Sequence, residues 1–315
     1  MPATSEHKKI EPVWNIRNVL NWTTKRFKES GIETPLLDTQ LLLSHALNLT
    51  KIQLYTDIEK PLTEVERAIF RELVKKRLSG EPVAYLLAEK YWHDLKLYVD
   101  KRVLIPRPET ETLLDFVLQV YKHKQNTPKV IFDFCTGSGC LALALAKEFP
   151  TAQVIGVDIS QDALSVAKIN AERNDVKNVE WINADVLCEE LFFDLKTKFG
   201  AADIVVANPP YVTESEWQSL DLSVKNYEPK IALVSENEGI KFGQCIFNSI
   251  LKYELLSKDS VFAMELAEKQ PHKVTKQKLK IININHPLWQ LTKNEWFALC
   301  DYENKDRFLI KLQEL

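Results

Sequence analysis

The stretch D-F-C-T-G-S-G at residues 133–139 decides the fold of this chain, because it joins an apolar strand to a helix. Residues 130–134 are predicted to form the strand and residues 141–148 the helix. Gly137 and Gly139 carry no Cβ, so the backbone between the two elements can approach a ligand closely. A glycine-rich loop at this position is typical of an open parallel sheet that binds its ligand at the carboxyl ends of the strands.

Strand and helix patterns alternate after this loop. A helix is predicted at 162–173, and further strands are predicted at 152–157, 179–182, 204–207 and 261–265. Segments 296–300 and 307–312 are predicted to form a closing hairpin. Repeated strand–helix units imply a parallel sheet with helices on both faces. We therefore expect an α/β, Rossmann-like domain with a doubly wound, mostly parallel seven-stranded sheet that ends in a C-terminal antiparallel hairpin.

Residues 1–90 are predicted to form a small helical bundle. Apolar residues recur at helical spacing in the first two segments, at Val13, Ile16, Val19 and Leu20 and then at Leu36, Leu37, Leu41, Leu42 and Leu43. The third segment begins with a capping box of Thr63 and Glu66 and ends at Gly80. Its expected apolar stripe comprises Val65, Ile69, Leu73 and Leu78.

Residues 91–107 are predicted to form a β-hairpin linker, since apolar and polar positions alternate on both sides of a turn at 99–101. Pro106 and Pro108 restrict the backbone and close this segment. The remaining residues, 108–315, then form the α/β domain.

Composition bounds the class of protein. The 315 residues suffice for about two domains, and the net charge of −3 with a pI near 6.1 does not suit a protein that binds nucleic acid through its phosphates. Five cysteines without metal-ligand spacing read as free thiols in a reducing compartment. We see neither a signal peptide nor a membrane-spanning run. The expectation is a cytoplasmic protein with no metal and no direct nucleic-acid or membrane partner.

An acidic residue follows the second predicted strand. Asp158 lies 19 positions beyond Gly139 (158 − 139), where nucleoside sites hold ribose hydroxyls. A nicotinamide fingerprint needs a third glycine, and its relaxed form accepts Ala142 at that position. Asp133 favours S-adenosyl-L-methionine instead, because a carboxylate there would repel a pyrophosphate but tolerates the α-amino group of a sulfonium ligand. Asp185 and Val186, after the third strand, are placed to meet the adenine, and Asp185 could accept from its exocyclic amine.

The segment Asn208-Pro209-Pro210-Tyr211 follows the fourth predicted strand. Two prolines remove two backbone N–H donors, so the loop offers only carbonyl acceptors, and Asn208 adds a side-chain acceptor. Such a site suits a planar NH₂ group, either a carboxamide or the exocyclic amine of adenine. The Asn208 side chain and the Pro209 carbonyl can hold both hydrogens and orient the nitrogen toward a methyl group, while Tyr211 packs against the planar group.

Together, the 133–139 and 208–211 motifs resemble the HemK/PrmC family of N5-glutamine methyltransferases. The similarity runs from about residue 35 to the end and includes G-E-P-V-A-Y at 80–85, V-L-I-P-R-P-E-T-E at 103–111, Y-E-P at 227–229, Ala232-Leu233 and Asp306-Arg307. The resemblance implies a class I methyltransferase domain that produces S-adenosyl-L-homocysteine and methylates the glutamine of the Gly-Gly-Gln motif of class-1 peptide chain release factors, in translation termination. It also implies that the helical domain docks this substrate.

The resemblance also assigns site residues. The cofactor would be held by Cys135, Thr136, Gly137, Ser138, Gly139, Asp158, Asp185, Val186 and Asn208. The glutamine would be held by Asn208, Pro209, Pro210 and Tyr211, with Asn208, Pro209 and Tyr211 as the catalytic set.

The chain departs from the family pattern at several turns. Cys135, Ala88, Ala267 and Asn304 stand where we expect glycine, and Val186 replaces a frequent aromatic residue. Cys135 fits its position if its φ is negative. Both reacting motifs are intact, so these departures do not read as loss of activity.

Three alternatives stay open on the sequence. A ribosomal-protein glutamine methyltransferase would use the same chemistry on another protein. A DNA or RNA adenine-N6 methyltransferase shares the 208–211 loop but needs a basic groove, and the basic cluster at Lys273, Lys276, Lys278 and Lys280 reads as a solvated helix face. A non-catalytic module that binds S-adenosyl-L-methionine would not need the intact 208–211 loop.

Overall fold

The computed structural model describes residues 14–124, 126–287, 291 and 294–313. Val13, which we assigned to the first helix, lies outside the described residues, as do the other residues of 1–13 and residues 314–315. The chain divides into two compact units, Met1–Leu87 and Ala88–Leu315.

The first unit is helical. Its helices are α1 (Ile16–Glu29), α2 (Pro35–Leu47), α3 (Lys51–Thr56), α4 (Glu64–Leu78) and α5 (Val83–Leu87). The predicted capping box of α4 is confirmed, because the Thr63 hydroxyl accepts from the Glu66 N–H while the Glu66 carboxylate accepts from the Thr63 N–H. The apolar faces of α1, α2 and α4 pack into one buried core.

The apolar stripe that we predicted for α4 is wrong in part. Val65 and Ile69 are 68% and 46% exposed, whereas Phe70 and Val74 are buried. Phe70 and Val74 are four positions apart and therefore share one helix face. That face carries the larger aromatic group inward, and Val65 and Ile69 point to solvent.

The second unit begins with a short hairpin of β1 (Lys90–Trp92) and β2 (Leu95–Leu97), whose turn lies at His93-Asp94. The chain also turns near the predicted position 99–101, where the Val103 N–H donates to the Asp100 carbonyl at 3.1 Å, but this turn does not join the strands of the hairpin as we predicted. The Asp100 side chain accepts there from the Arg102 backbone and guanidinium. The backbone of Tyr98 is instead held by the Asn170 side chain, 3.0 Å from its carbonyl.

The sheet of the second unit contains the strands that carry the site. Its strands are β3 (Val130–Phe134), β4 (Gln153–Asp158), β5 (Val179–Asn183), β6 (Ala202–Ala207), β7 (Leu256–Glu265), β8 (Lys280–Ile282), β9 (Trp296–Cys300) and β10 (Asp306–Leu312). They lie in the order β5-β4-β3-β6-β7-β10-β9-β8, parallel from β5 to β7 and antiparallel where β10 meets β7 and β9. The chain order switches sides between β3 and β6, which is where open sheets of this kind bind ligands.

Helices cover the sheet. They are α6 (Pro108–Lys124), α7 (Cys140–Glu148), α8 (Gln161–Arg173), α9 (Glu189–Phe199), α10 (Glu214–Ser219), α11 (Leu222–Tyr227), α12 (Lys241–Lys252) and α13 (Gln270–Thr275). Phe132, Phe134 and Phe262 on the strands are fully buried in the core that these helices close. The Rossmann-like α/β class with a C-terminal antiparallel pair is therefore confirmed.

Two details of the prediction need correction. The sheet has eight strands and not seven, because β8 pairs in parallel with β9 and forms the edge of the sheet. Three residues of strand are too few for a periodic signal. The lysine cluster is not one helix face either: Lys273 lies on α13, Lys276 ends that helix with a positive φ, and Lys280 lies in β8. In the described part of the chain, no helix is long and apolar enough to cross a membrane.

Candidate active site

A cavity opens at the carboxyl ends of the parallel strands. It collects nine of the predicted site residues: Cys135, Thr136, Gly137, Ser138, Asp158, Asp185, Val186, Asn208 and Pro210. Gly139, Pro209 and Tyr211 do not line it. Residues from 102–110, 229–232 and Phe242 complete its wall.

The loop between β3 and α7 forms the floor of the cavity. Cys135 adopts a φ of 59°, so our expectation of a negative φ there is wrong. The Thr136 N–H donates to the Val157 carbonyl at 3.0 Å, which folds the loop across the end of β4. Ala88 and Asn304, where we also expected glycine, have positive φ values of 51° and 62°. Ala267 is not among the positive-φ residues.

Asp133 lies beneath this loop and is 1% exposed. Its Oδ2 accepts from the Thr136 hydroxyl at 2.5 Å and from the Ala142 N–H at 3.1 Å, whereas Oδ1 has no hydrogen-bond partner in the part of the chain that is described. Burial raises the pKa of this carboxyl to about 7, against the hydrogen bonds from Thr136 and Ala142. A buried carboxylate oxygen without a partner, on the wall of a cavity, suits a cationic group of a ligand.

Asp158 is the last residue of β4, and its carboxylate bonds both to the 133–139 loop and to the start of α8. Its Oδ2 accepts from the Gly137 N–H at 2.8 Å and its Oδ1 from the Ser160 N–H at 2.9 Å. Burial raises the pKa of its carboxyl above the ordinary value. Because each carboxylate oxygen can accept a second hydrogen bond, Asp158 retains capacity for a hydroxyl on the cavity side.

Asp185 follows β5 and shapes the opposite wall. Its Oδ1 accepts from the Leu187 N–H at 2.9 Å, which tightens the turn after the strand. Val186 is buried, and its carbonyl accepts from the Cys245 thiol at 3.2 Å. The turn therefore presents an apolar surface beside one carboxylate.

A tryptophan braces the floor from the β5 side. Trp181 pairs in register with Gly156 of β4. A Cβ built on Gly156 would stand 2.5 Å from the Trp181 ring, and one on Gly139 would stand 3.0 Å from it. Gly156 and Gly139 allow this close approach because neither carries a Cβ. Gly139 packs against the indole and does not line the cavity.

The segment 208–211 leaves the end of β6 and is held from behind. The Tyr211 carbonyl accepts from the Gln270 side chain at 3.0 Å, and the Val212 N–H donates to the Leu233 carbonyl at 2.9 Å. Gly239 approaches so closely that an added Cβ would lie 2.2 Å from the Tyr211 carbonyl oxygen. Asn208 and Pro210 face the cavity from this clamped loop.

A chain of hydrogen bonds links Asn208 to a buried glutamate. The Asn208 Nδ2 donates to the Thr110 hydroxyl at 3.1 Å, which donates to Glu265 Oε2 at 2.7 Å. The Tyr211 hydroxyl donates to Glu265 Oε1 at 3.1 Å. Glu265 ends β7 and is 1% exposed, and burial raises the pKa of its carboxyl to about 7.

Sequence reasoning assigned no role to the side chains that support the 208–211 loop and the rim of the cavity. Arg107 and Glu228 form an ion pair at 2.6 Å, and Glu228 also accepts from the Ile105 N–H at 3.1 Å. The pair fixes the 102–107 segment against the 227–232 segment at the rim of the cavity. A carboxylate at the end of an apolar strand, such as Glu265 after Val261, was the one available signal. Among the described residues, no group of three or more His, Cys, Asp or Glu side chains could hold a metal ion.

Comparison with known proteins gives two family matches. The model for the PrmC N-terminal domain matches residues 18–87, and a model for a methyltransferase domain matches residues 126–304. A release factor glutamine methyltransferase of Chlorobaculum tepidum is 39% identical over 81% of this chain and 86% of its own. Proteins of the same name from Rhodopirellula baltica and Thermodesulfovibrio yellowstonii are each 38% identical, over 72% and 74% of this chain and 75% and 80% of their own.

Proposed function

Because the chain belongs to the family of release factor glutamine methyltransferases, we propose that it methylates the side-chain amide nitrogen (N5) of a release factor glutamine from S-adenosyl-L-methionine. The target is the glutamine of the Gly-Gly-Gln motif of class-1 peptide chain release factors, and the role is in translation termination. The observation that carries the proposal is the position of Asn208. It lines the same cavity as the 135–138 loop, so an amide acceptor and a cofactor loop face one space.

The cavity residues fit the cofactor. Asp133 Oδ1, buried and without a partner among the described residues, suits the α-ammonium group. Asp158 has acceptor capacity left for ribose hydroxyls, and Asp185 and Val186 offer a carboxylate and an apolar surface to adenine. S-adenosyl-L-methionine supplies a methyl group on a sulfonium, so the transfer needs no metal and no covalent enzyme intermediate.

Asn208 and the two prolines hold the substrate. The Asn208 Oδ1 accepts no hydrogen bond from the part of the chain that the structure describes, and Pro209 and Pro210 carry no N–H donor. The Asn208 Oδ1 can therefore accept one hydrogen of a glutamine amide in the cavity; Pro209 does not line the cavity, so its carbonyl accepts the second hydrogen only after a shift of the loop. Holding both hydrogens fixes the nitrogen in line with the methyl group, and orientation is the main contribution of these residues to the rate. The hydroxyl of Tyr211 is bonded to Glu265, which fixes the ring outside the cavity lining.

The helical unit is proposed to dock the release factor. Several large apolar side chains of its surface are exposed: Trp22, Leu36, Leu37, Ile52, Tyr55, Val65 and Ile69. Leu36 and Tyr55 share a depression with Arg17, Lys25 and Lys28. Arg17 is paired with Glu59 and Lys25 with Glu29, so the edge of this depression carries both charges, and its exposed apolar residues are what suits a protein partner. We place the protein in the cytoplasm, because its free cysteines suit a reducing compartment.

A methylation assay with labelled S-adenosyl-L-methionine tests the proposal. Wild-type protein is offered a release factor, the same factor with its Gly-Gly-Gln glutamine changed to alanine, a ribosomal protein and adenine-containing DNA. We expect label in the unmodified release factor alone. Label in the ribosomal protein or the DNA would instead assign one of those substrates.

The Asn208→Ala variant tests the acceptor role in the same assay. We expect transfer to fall by roughly 100-fold or more, because the amide nitrogen is no longer oriented. Melting temperature and S-adenosyl-L-homocysteine binding control for folding. Turnover within a few-fold of wild type would remove Asn208 from the mechanism.

A Leu36→Ser variant addresses docking: it should raise KM for the whole release factor and leave KM for a short Gly-Gly-Gln peptide unchanged.

A further inference from the structure

Two buried side chains contact the two functional ends of the 208–211 loop: Thr110, which also lines the cavity, and Glu265, which does not. Thr110 lies in the first turn of α6 and is 1% exposed, and Glu265 ends β7. Thr110 contacts Asn208, and Glu265 contacts both Thr110 and Tyr211. These contacts bring together three segments that are 98 and 155 residues apart in sequence.

The direction of each hydrogen bond follows from the hydrogens that are available. An ionised Glu265 can only accept, so the single Thr110 hydroxyl hydrogen is used on Glu265. Thr110 then has only lone pairs left, and these can accept solely from the NH₂ end of Asn208. The amide of Asn208 is thereby turned with Nδ2 toward Thr110 and Oδ1 away from it.

We propose that Thr110 and Glu265 are positioning residues that hold the oxygen of the Asn208 amide toward the substrate site. The inference rests on the proposed function, since a glutamine NH₂ is the group that this oxygen would hold. Without the pair, the amide of Asn208 could rotate by 180° and offer a second NH₂ to the substrate NH₂. Two donors facing each other cannot form a hydrogen bond, and the orientation that drives transfer would be lost.

Protonation of Glu265 reverses the direction of the hydrogen bonds that link it through Thr110 to Asn208. A protonated Glu265 can donate to Thr110, whose hydroxyl then donates to Asn208 Oδ1 and turns the NH₂ end toward the cavity. The groups that face Glu265 electrostatically are Glu109 on α6, Arg307 on β10, Tyr211 and the thiol of Cys140. Arg307 is itself 2.8 Å from Asp301, and burial outweighs its field, so the pKa of Glu265 stays raised to about 7. The acceptor orientation is therefore present above that pH and lost below it.

An NMR titration tests this inference without any substrate. The protein is labelled with ¹⁵N-asparagine, and the side-chain NH₂ signals of Asn208 are assigned from their absence in Asn208→Ala. We expect these signals to shift with an apparent pKa near that of Glu265, and to stop titrating in Glu265→Gln. Asp133→Asn serves as the matched control, because it removes another buried carboxyl with a raised pKa and should leave the titration unchanged.

Kinetics with saturating cofactor give a second readout. Thr110→Val keeps the shape of the side chain and removes the acceptor, so kcat should fall about tenfold or more with little change in KM for the cofactor. Thr110→Ser keeps the hydroxyl and should stay within about threefold of wild type. In wild type, kcat should rise about tenfold or more from pH 5.5 to 8.5, and this rise should vanish in Glu265→Gln.

The outcomes separate the inference from the function on which it rests. Signals of Asn208 that do not titrate, or that still titrate in Glu265→Gln, would overturn the inference whatever the substrate is. So would a folded Thr110→Val that keeps wild-type kcat on a release factor. If no release factor is methylated but the NMR titration behaves as described, the positioning holds and the substrate assignment fails.

Discussion

At the residue scale, Asp133 decides how the cofactor end of the cavity responds to pH. Its Oδ1 is buried and has no partner among the described residues, and its pKa is raised to about 7. A cationic ammonium at Oδ1 favours the ionised carboxyl. Affinity for S-adenosyl-L-methionine should therefore increase as pH rises through about 7, the pKa of this carboxyl.

The Asp133→Asn variant tests this role by calorimetry. We expect weaker binding of S-adenosyl-L-homocysteine by roughly 10-fold, about 1.4 kcal/mol, and a flat pH dependence between pH 6 and 8. Binding of 5′-methylthioadenosine, which lacks the amino-acid portion, is the matched control and should change less than twofold. Equal losses for both ligands would show that Asp133 supports the loop and not the ammonium group.

Residue identity was readable from the sequence at this scale, but backbone conformation was not. Nine of the predicted site residues do line one cavity, since strand ends and glycine-rich loops leave a local signal. The residue type of Cys135 does not mark its positive φ, because cysteine seldom adopts a left-handed turn, and the signal was the glycine that the family pattern expects at this position. The same holds for Ala88, whereas Asn304 belongs to the residue types that adopt this conformation most readily.

At the scale of elements, the close contact between β4 and β5 sets the position of the cofactor loop. A Cβ added to Gly156 would lie 2.5 Å from the Trp181 ring and 3.2 Å from the Thr136 hydroxyl. Gly156→Ala should lower the free energy of unfolding by about 1–3 kcal/mol, as expected for overpacking, and weaken cofactor binding through Thr136. Chemical denaturation and calorimetry measure the two effects.

A second change tests whether the ring is the cause. Trp181→Phe removes part of the indole, so Gly156→Ala combined with Trp181→Phe should be destabilised by less than the sum of the two single variants. Additive losses would locate the strain elsewhere in the strand pair.

Several strands and the helices next to the cofactor loop were predictable, whereas the helices α6 and α12 and the shortest strands were not predicted. The strands at 130–134 and 296–300 were placed with their observed bounds. The three-residue β8 and the hairpin turn at His93-Asp94 were missed. Pairing with a neighbouring strand defines β8, and the Asn170 side chain holds Tyr98 beyond the hairpin by accepting from its N–H and donating to its carbonyl. Neither partner is near in sequence.

At the scale of the whole molecule, long-range contacts complete the site. Thr110 and Glu228 lie in segments that carry the family resemblance and Glu265 does not, and the contacts of these three residues span 54 to 155 positions of the chain. Only the folded sheet brings the end of β7 beneath the 208–211 loop. The residue types of that loop led to its proposed chemistry, whereas its contacts with Thr110 and Glu265 left no signal in the sequence.

The same two buried carboxyls predict how stability depends on pH. Asp133 and Glu265 have pKa values raised from 3.8 and 4.5 to about 7. Between pH 5 and 8 the folded state therefore binds more protons than the unfolded state, and the free energy of unfolding falls as pH rises. Each carboxyl should contribute a loss of about 3 kcal/mol across this window.

Urea denaturation at pH 5, 6, 7 and 8 measures this dependence. Glu265→Gln and Asp133→Asn should each make the curve shallower, because each removes one proton-linked loss, and the Asp158 carboxyl, whose pKa burial also raises, leaves part of the slope in both variants. The carboxyl of Asp100, held by Arg102, has a lowered pKa and shapes the curve only at more acidic pH, and the tyrosines with raised pKa titrate only at more alkaline pH. A wild-type curve that is level or rises from pH 5 to 8 would mean that Asp133 and Glu265 are ionised throughout. In that case the reversal of the Asn208 amide would also lie below the pH range in which the enzyme works.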